Sequence, residues 1–357
     1  MIKLGSQEVT KVMKGAEEVS GVYRGTDEVW SAGGGAGPIE DISEVFSTYL
    51  YEGTETSIEH KIQNGIDLAG EGGLVWIKKR DNKVADANHA LYDTERGNQQ
   101  LASNSANAEA VGDIASYDSD GFTFNASTGL NSDYLGSEYV SWTFRKATQF
   151  FDVVTYTGDS NDLTLSHNLG VEPGIIIIKN VSEANRDWYV YHKSLGHTKS
   201  LTLNSDSKEA GSSAMVSPPT DKTFTLKGGQ GATCGYPYEY VAYLFAHDDS
   251  DESMIKCGSY TGTGNDLSIE LGFEPQWMLF KRSDGALTDW VIRDSIRGTT
   301  DDFRSELYPN SSDAEYNHPS GTLVFTPNGF RLPIQNGLYN TPGDTFIYMA
   351  IRKPDTP

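Results

Sequence analysis

The segment YVSWTF at Tyr139–Phe144 decides the fold, because its side chains alternate in character along the chain. Such alternation with a period of two is typical of a β-strand that is buried on one face. Two later segments are of the same kind, YVAYLF at Tyr240–Phe245 and FIYMAI at Phe346–Ile351. Three related strands predict that one all-strand unit is repeated three times.

Other sequence features recur around these strands, in the same order in each copy. Each copy opens with a Tyr-x-Gly step, continues with an apolar run ending in Lys and then with an aromatic segment, and ends with the strand quoted above. The apolar runs are 73–78, 174–179 and 276–281. The β-branched run Ile175–Ile178 is typical of a strand covered on both faces. Chance would rarely preserve this order three times.

The sequence therefore predicts an all-β fold of three tandem antiparallel β-sandwiches, of the jelly-roll or lectin-like kind. Asp-Gly and Asn-Gly steps, such as Asp120-Gly121 and Asn328-Gly329, mark tight turns between short strands. The predicted sandwich domains comprise residues 45–148, 149–250 and 251–357. Solenoid and propeller repeats are usually ~20–50 residues long, so we rank them lower.

The first thirty residues contain a different repeat, the three decads MIKLGSQEVT, KVMKGAEEVS and GVYRGTDEVW. Each decad predicts two short extended pieces joined by a turn at its Gly. Three such units bury little surface, so we expect residues 1–30 to anchor the chain on a larger assembly. The anchor candidates are Val9, Val19, Tyr23, Val29 and Trp30. Residues 31–44 begin with SAGGGAGP, which predicts a flexible linker.

Charge and composition exclude several classes of protein. The formal net charge of −22 argues against a nucleic-acid partner, because such binding needs clustered Lys and Arg. No apolar stretch is long enough to insert into a membrane. The only cysteines, Cys234 and Cys257, are too few for a disulfide framework or a structural zinc site and suit a reducing cytosol. Whether the two cysteines interact is left open.

Motifs for catalysis are absent from the sequence, so we expect no enzyme and no catalytic residues. The seven histidines form no metal-binding pattern, and no nucleophile elbow or phosphate loop is present. The segment Asp118–Gly121 is only a fragment of a calcium loop, so Ca²⁺ is the one cofactor left open. Fifty carboxylates also leave open a glycosidase, which needs two carboxyl groups across a cleft.

Aromatic residues are of two kinds. Five tryptophans fall on predicted strands, and we expect them to pack in the core. They are Trp76, Trp142, Trp188, Trp277 and Trp290. Tyr236, Tyr238, Tyr308 and Tyr339 instead fall in loops beside Pro, Asn or Gly, a composition that suits adaptable recognition and stacking on sugar rings. These four tyrosines are the candidate contacts to a glycan receptor.

Several segments resemble an uncharacterised domain family of tailed-phage virion proteins. They include GLVWIKKRD at 73–81, HALYDTERG at 89–97, LASN at 101–104, SDGF at 119–122 and FFDVVTYTG at 150–158. The decads are similar to short starts of phage structural proteins. Members are described as tail fibre, tail spike or virion structural proteins. The resemblance covers residues ~45–355 and brings no catalytic residues with it.

This resemblance implies a non-enzymatic, fibre-like virion protein that is made in the host cytoplasm. Its N-terminus would dock on other virion proteins of the tail or capsid, and its body would display sandwiches for attachment to host-surface polysaccharide. A homo-oligomer, most simply a trimer, is implied as for other fibres. Two alternatives remain, a head decoration or head-fibre protein and a tail-spike glycosidase acting on host polysaccharide.

Overall fold

The computed structural model describes paired strands within residues 3–31 and residues 41–54, 59–83, 87–126, 130, 136–250, 252–285, 287–298, 305–317, 323–333 and 339–354. The chain divides into two compact units, Met1–Ile39 and Glu40–Pro357. The elements whose bounds the structure gives are β-strands and one 3-10 helix, Ile42–Glu44. The prediction of an all-β fold is confirmed.

The unit Met1–Ile39 contains three antiparallel hairpins, one in each decad. The hairpins are β1 (Lys3–Leu4) with β2 (Gln7–Glu8), β3 (Met13–Lys14) with β4 (Glu17–Glu18), and β5 (Gly21–Arg24) with β6 (Asp27–Ser31). An isolated hairpin is marginally stable in water, which is consistent with an element that needs a partner surface.

The unit Glu40–Pro357 contains the predicted repeats, which we call copy 1 (residues 45–148), copy 2 (149–250) and copy 3 (251–357). The strands of copy 1 are β7 (Phe46–Glu52), β8 (His60–Gln63), β9 (Gly73–Lys79), β10 (Ala90–Asp93), β11 (Gln99–Gln100), β12 (Ala110–Val111), β13 (Ile114–Asp118), β14 (Gly121–Phe124) and β15 (Glu138–Arg145). The order β10-β9-β15-β7 forms a main sheet, and β13-β14-β8 forms a second sheet.

Copy 2 and copy 3 follow the same plan. The strands of copy 2 are β16 (Phe151–Thr157), β17 (Leu163–Ser166), β18 (Pro173–Asn180), β19 (Tyr189–His192), β20 (Lys199–Thr202), β21 (Ala210–Gly211), β22 (Thr223–Leu226) and β23 (Glu239–Ala246). Those of copy 3 are β24 (Ile255–Thr261), β25 (Leu267–Glu270), β26 (Pro275–Arg282), β27 (Val291–Asp294), β28 (Ser305–Glu306), β29 (Tyr316–Asn317), β30 (Val324–Thr326), β31 (Gly329–Leu332) and β32 (Thr345–Arg352).

The connectivity of the main sheet is the same in each copy. The opening strand pairs with the closing strand, which pairs with the long central strand, which pairs with the strand after it. The three series are β7-β15-β9-β10, β16-β23-β18-β19 and β24-β32-β26-β27. The copies lie together in one compact unit, so the count of three independent sandwiches and their boundaries stay a division by sequence.

One face of the main sheet packs against the second sheet. In copy 1, Val75 and Ile77 of β9 belong to one buried cluster with Phe122 and Phe124 of β14. Copy 3 has a corresponding cluster formed by β26, β30 and β31. Burying each such side chain contributes roughly 1.5–3 kcal/mol, which is enough to hold the two layers together.

The other face of each main sheet packs against the neighbouring copies. The ring centroids of Trp142 and Trp277 lie 6.4 Å apart, and those of Phe144 and Phe245 lie 5.4 Å apart. The five tryptophans named above are all at most 1% exposed, so the prediction that they pack in the core is confirmed. Because both faces are covered, every residue of β18 is buried.

Hydrogen bonds join the copies in a cycle. Trp188 Nε1 of copy 2 donates to Ala102 O of copy 1 at 3.0 Å, and Trp290 Nε1 of copy 3 donates to Thr202 O of copy 2 at 2.9 Å. The cycle closes between His89 Nε2 of copy 1 and the carbonyl oxygen of Tyr308 in copy 3, at 3.0 Å. Each copy therefore contacts both of the others through corresponding positions.

The lysines that end the central strands repeat this cycle. Lys78 donates to Ser312 O, Lys179 to Ala106 O and Lys281 to Asp206 O, in each case a carbonyl of another copy. All three lysines are fully buried. A buried ammonium without acceptors would be costly, so these carbonyl groups explain why a lysine ends each apolar strand.

Candidate binding cleft

A cleft of about 390 Å³ lies where copy 1 meets copy 2. Copy 1 contributes the turn after β10 and the segment before β12, and copy 2 contributes β16, the end of β18 and the start of β23. The lining residues are Glu95, Arg96, Gln99, Glu109, Thr155, Tyr156, Thr157, Val181, Glu239 and Tyr240. A volume in the range of ~300–1,000 Å³ is typical of sites that hold small ligands.

Arg96 is held rigidly at the floor of the cleft. Its Nε donates to Asp93 Oδ2 at 2.7 Å, its Nη1 to Glu109 Oε2 at 2.9 Å, and its Nη2 to the Tyr243 hydroxyl at 3.0 Å. Burial acts to lower the pKa of Arg96, but Tyr243, Asp93 and Glu109 outweigh it and raise the pKa above its usual value. The guanidinium is therefore a fixed positive charge, and Glu109, which accepts a hydrogen bond from it, lines the cleft.

Two tyrosines form an aromatic wall. The rings of Tyr156 and Tyr240 are stacked, with centroids 5.1 Å apart and an interplanar angle of 11°. The Tyr156 hydroxyl donates to Thr233 O at 2.5 Å. Burial raises the pKa of Tyr156 well above its usual value, so this wall stays neutral through the physiological range.

Glu239 lies on the opposite side, at the first residue of β23. Its backbone N–H donates to Ser182 Oγ at 2.7 Å, which fixes the start of the strand. Its side chain is exposed, and within the described residues no cation pairs with its carboxylate. At the rim, Glu95 pairs with Lys146 at 2.6 Å. The cleft is therefore acidic, with one carboxylate that the protein leaves without a cation.

Of the predicted glycan contacts, Tyr236 and Tyr238 are accessible. Tyr236 is 70% exposed. Tyr238 is half-buried, with the guanidinium carbon of Arg186 5.8 Å from its ring centroid. A hydrogen bond to Glu183 raises the pKa of the Tyr238 phenol. These two tyrosines precede Glu239 directly in the chain, so this loop is continuous with one side of the cleft.

Tyr308 and Tyr339 both lie outside the strands, as predicted, but the expectation of an exposed ring is wrong for Tyr339. Tyr339 is only 6% exposed, and its hydroxyl lies 2.6 Å from Glu306 Oε1 in the interior of copy 3. Tyr308 is half-buried and donates to Glu306 Oε2 at 3.0 Å. Glu306 is fully buried and paired with Arg293, so the two phenols satisfy a buried charged pair.

The anchor candidates fall in the unit Met1–Ile39. Tyr23 lies on β5, and Val29 and Trp30 lie on β6. The register pairs Val22 with Trp30 and Tyr23 with Glu28, so Val29 lies at an irregularity of the hairpin. Val9 and Val19 lie outside the described residues. The anchoring role of all five stays a prediction.

The described residues contain no group of three or more His, Cys, Asp or Glu side chains that could hold a metal ion. In the calcium-loop fragment, Asp118 accepts hydrogen bonds from Ser116 and Thr123, and Asp120 pairs with Lys61 at 2.7 Å. Both carboxylates therefore already have partners in the protein. The two cysteines are free and buried.

The glycosidase alternative needs a carboxyl group whose pKa is raised so that it can donate a proton. In the described part of the chain, the carboxyl groups with clearly shifted pKa values are all shifted downward. One example is Glu315, where burial acts to raise the pKa but Arg80 and Arg297 outweigh it. Carboxylates held ionised in this way can bind cations, but they are poor general acids.

The fold and the cleft define a class of protein: an all-β, cyclically arranged body with an acidic cleft. The chain belongs to the family described as "Domain of unknown function (DUF7483)", whose model matches residues 41–354. A comparison with the curated proteins finds no match. The matched segment begins within the unit Glu40–Pro357, so the family is defined by the body.

Among the described residues, no helix is both long and apolar enough to span a membrane.

The cleft residues Glu95, Arg96, Glu109 and Glu239 were not predicted from the sequence. Asp93–Arg96 lies within HALYDTERG at 89–97, where no spacing pattern indicates a cleft. A comparison of the copies position by position carries a signal, because Glu109, Glu209 and Glu315 occupy corresponding places. These residues share one cleft only because copy 1 packs against copy 2 in the fold.

Proposed function

We propose that this chain is a non-enzymatic structural protein of a phage virion, in which residues 1–39 attach to the particle and the body is displayed. The observation that carries the proposal is the division of the chain. The N-terminal hairpins form a unit of their own, and the family match begins only at residue 41. A body that matches the family, joined to a small unit outside the match, suits a displayed domain with an attachment segment.

The packing of the body supports a role in display. Its three copies are joined by partly buried hydrogen bonds between corresponding positions, as in the bonds from Trp188 and Trp290. Each such bond contributes about 0.5–1.5 kcal/mol net, and leaving its partner unpaired costs more. A body closed in this way resists local opening, which suits a protein exposed outside the cell.

The recognition surface that we propose is the loop of Tyr236 and Tyr238. An exposed ring beside a second ring stacked near Arg186 offers apolar faces and polar edges, the combination that sugar rings bind. The proposed ligand is host-surface polysaccharide. Replacing both tyrosines by Ala is expected to abolish retention on host polysaccharide. Retention equal to that of the wild type would remove this surface from the proposal.

Deletion of residues 1–38 tests the attachment role. The truncated protein is expected to keep the melting temperature of the body but to be absent from purified particles. Incorporation at wild-type levels would overturn the proposal. Imaging of particles that carry the full chain would distinguish attachment to the tail from attachment to the head, and the mass of the purified protein would test the proposed trimer.

The carboxylates Glu95, Glu109 and Glu239 in one cleft are the observation that favours a tail-spike glycosidase as a second function. The test is release of reducing ends from host polysaccharide. Steady release that is lost in Glu109→Gln would establish the glycosidase and replace the first proposal.

A further inference from the structure

The three places where the copies meet share the same backbone hydrogen bond, and we call this bond with the side chains around it the frame. We call them the first junction (copies 1 and 2), the second (copies 2 and 3) and the third (copies 3 and 1). In each, a glutamate N–H donates to the carbonyl of the residue two places after the buried lysine. The pairs are Glu109 to Val181 at 3.0 Å, Glu209 to Ser283 at 2.7 Å and Glu315 to Arg80 at 2.8 Å.

The third junction shows what this frame can bind. There, Arg80 Nε donates to Glu315 Oε2 at 2.8 Å and Nη2 donates to Glu315 Oε1 at 3.1 Å, so the contact is bidentate. Arg80 Nη1 also lies 3.8 Å from Glu138 Oε2. Burial acts to lower the pKa of Arg80, but the two carboxylates outweigh it and raise the pKa. A guanidinium thus bridges two glutamates contributed by different copies.

The first junction keeps the two glutamates and lacks the arginine. Glu109 corresponds to Glu315, Glu239 corresponds to Glu138, and Val181 stands where Arg80 stands in the third junction. Arg96 meets Glu109 at 2.9 Å, and its counterpart Arg297 meets Glu315 at 3.1 Å. The two junctions therefore share both glutamates, the arginine beside the first of them and the backbone hydrogen bond, and they differ where Val181 replaces Arg80, a position that lines the cleft.

The charges at corresponding positions differ by one. In the third junction, Asp294, Glu315 and Glu138 with Arg297 and Arg80 give −3 + 2 = −1. In the first junction, Asp93, Glu109 and Glu239 with Arg96 give −3 + 1 = −2. The first junction is one positive charge short of a frame that the same chain completes elsewhere.

The second junction offers no such site. Thr345 stands in the place of Glu239, Ser283 in the place of Val181, and Glu209 pairs with Lys199 at 2.5 Å. Its second carboxylate is therefore missing, and its first has a partner within its own copy. The opposed pair of carboxylates with no bridging arginine is confined to the first junction.

We propose that the cleft of the first junction binds the guanidinium group of an external ligand, in the position that Arg80 fills in the third junction. Glu109 and Glu239 accept its N–H groups, and Tyr156, which is half-buried and backed by the buried ring of Tyr240, lines the same cleft. This inference concerns the cleft and not the adjoining loop that we propose for polysaccharide, and it does not depend on the virion role.

Guanidinium fits this frame better than an ammonium ion does. A planar fork makes two parallel hydrogen bonds to one carboxylate, as Arg80 does with Glu315, whereas an ammonium makes a point contact. A flat cation also stacks on aromatic rings more often than an ammonium does. An arginine side chain of a partner protein and a free small guanidinium compound share this chemistry.

Calorimetric titration of the full chain at low salt tests the proposal. N-acetyl-arginine amide is expected to bind at one site per chain, about tenfold more tightly than N-acetyl-lysine amide, and the neutral N-acetyl-citrulline amide is expected not to bind. The lysine compound measures the general attraction of a protein with net charge −22. A blocked pentapeptide with a central Arg that binds more tightly would identify a partner side chain, and equal affinity would identify a small molecule.

Three variants connect binding to the cleft. Val181→Arg supplies the missing guanidinium and is expected to abolish binding. Glu239→Gln removes an exposed carboxylate without a cation partner, so the fold should persist while affinity falls at least threefold. Glu138→Gln, at the filled third junction, is the matched control and should leave affinity unchanged. Equal affinity for the arginine, lysine and citrulline compounds, or unchanged binding in folded Glu239→Gln, would overturn the proposal.

Discussion

The indole of Trp290 donates a hydrogen bond from Nε1 to the carbonyl oxygen of Thr202, 2.9 Å away in the preceding copy. The two groups belong to different copies of the repeat, and the bond, which is partly buried, has a counterpart at each of the other two junctions. The body is therefore held together by contacts that no single copy could form. Its stability should depend on these contacts as much as on the sheets themselves.

Trp290→Phe should lower the free energy of unfolding by about 1–3 kcal/mol more than Trp277→Phe does. Both indoles are buried, but Trp277 Nε1 has no hydrogen-bond partner among the described residues, so its replacement loses ring volume alone. Urea unfolding with equal m-values for both variants measures the difference. Equal losses would mean that the bond to Thr202 contributes nothing to the junction.

Arg80→Val should give the third junction the same arrangement as the first, with two glutamates and no bridging arginine. The variant loses the bidentate contact to Glu315, so we expect a loss of about 1–3 kcal/mol in unfolding free energy. Two carboxylates then face a new cleft, and N-acetyl-arginine amide should bind with a stoichiometry of two instead of one. Arg282→Val, which removes an arginine that pairs with Asp284 and Asp344, is the control and should keep one site. A folded Arg80→Val protein with one site would contradict the equivalence of the junctions.

The buried lysines predict a rise in stability above pH 8. Burial lowers the pKa of Lys179 from 10.5 to about 8. Between these values the unfolded chain binds a proton that the folded chain does not, so the free energy of unfolding increases with pH. A shift of this size corresponds to at most about 3 kcal/mol at ~1.4 kcal/mol per pH unit.

Lys179→Met should therefore show a smaller rise between pH 8 and 9.5 than the wild type, because its unfolded chain lacks the proton that Lys179 binds. Denaturant unfolding at each pH measures the slope. Lys227→Met changes an exposed lysine that pairs with Asp162 and should retain the wild-type slope. Parallel curves for all three proteins would show that Lys179 does not titrate in the folded state.

Acid should destabilise the contact between copies 2 and 3 through His192. Burial lowers the pKa of His192 from 6.5 to about 4. Its Nε2 lies 3.1 Å from Tyr348 O, and its Nδ1 accepts the N–H of Ser194. The neutral ring suits both partners, so stability is complete above pH 6.5 and falls as the pH drops toward 4.

His192→Gln should flatten this acid limb by up to about 3 kcal/mol between pH 6.5 and 4. Thermal unfolding across that range measures it, with His197→Gln as a control for a half-exposed histidine. If His192→Gln kept the wild-type acid limb, the loss of stability would have to come from other groups.

The sequence alone was sufficient for the strands and for their repetition. The alternation at Tyr139–Phe144 and the run at Ile175–Ile178 determine strand, burial and order because each depends on local spacing. The burial of the tryptophans could be predicted from their recurrence at corresponding places in the repeats, although Trp188 and Trp290 lie directly before β19 and β27 and not on them. Such features need no knowledge of what lies across the sheet.

The cleft and the burial of Tyr339 could not be predicted in this way. Tyr339 lies beside Asn340 in a segment that is typical of a loop, yet Glu306 draws its phenol inward from a distant part of the chain. The cleft depends on the closure of the cycle, since the role of Val181 is visible only when copy 3 lies against copy 1 and Arg80 shows the occupied frame. Both depend on contacts between distant segments, which sequence spacing does not determine.

Because the three copies belong to one polypeptide, the residues at each junction can change independently of those at the other two. In a trimer of identical chains, any substitution occurs three times around the symmetry axis. Such a trimer would therefore lack the bridging arginine at all three junctions or at none. The equivalent position differs at each junction. It is Arg80 in the third, where it forms a salt bridge, Val181 in the first, where it lines the cleft, and the neutral Ser283 in the second. Covalent fusion thus allows a nearly symmetric scaffold to differ in charge from one junction to the next.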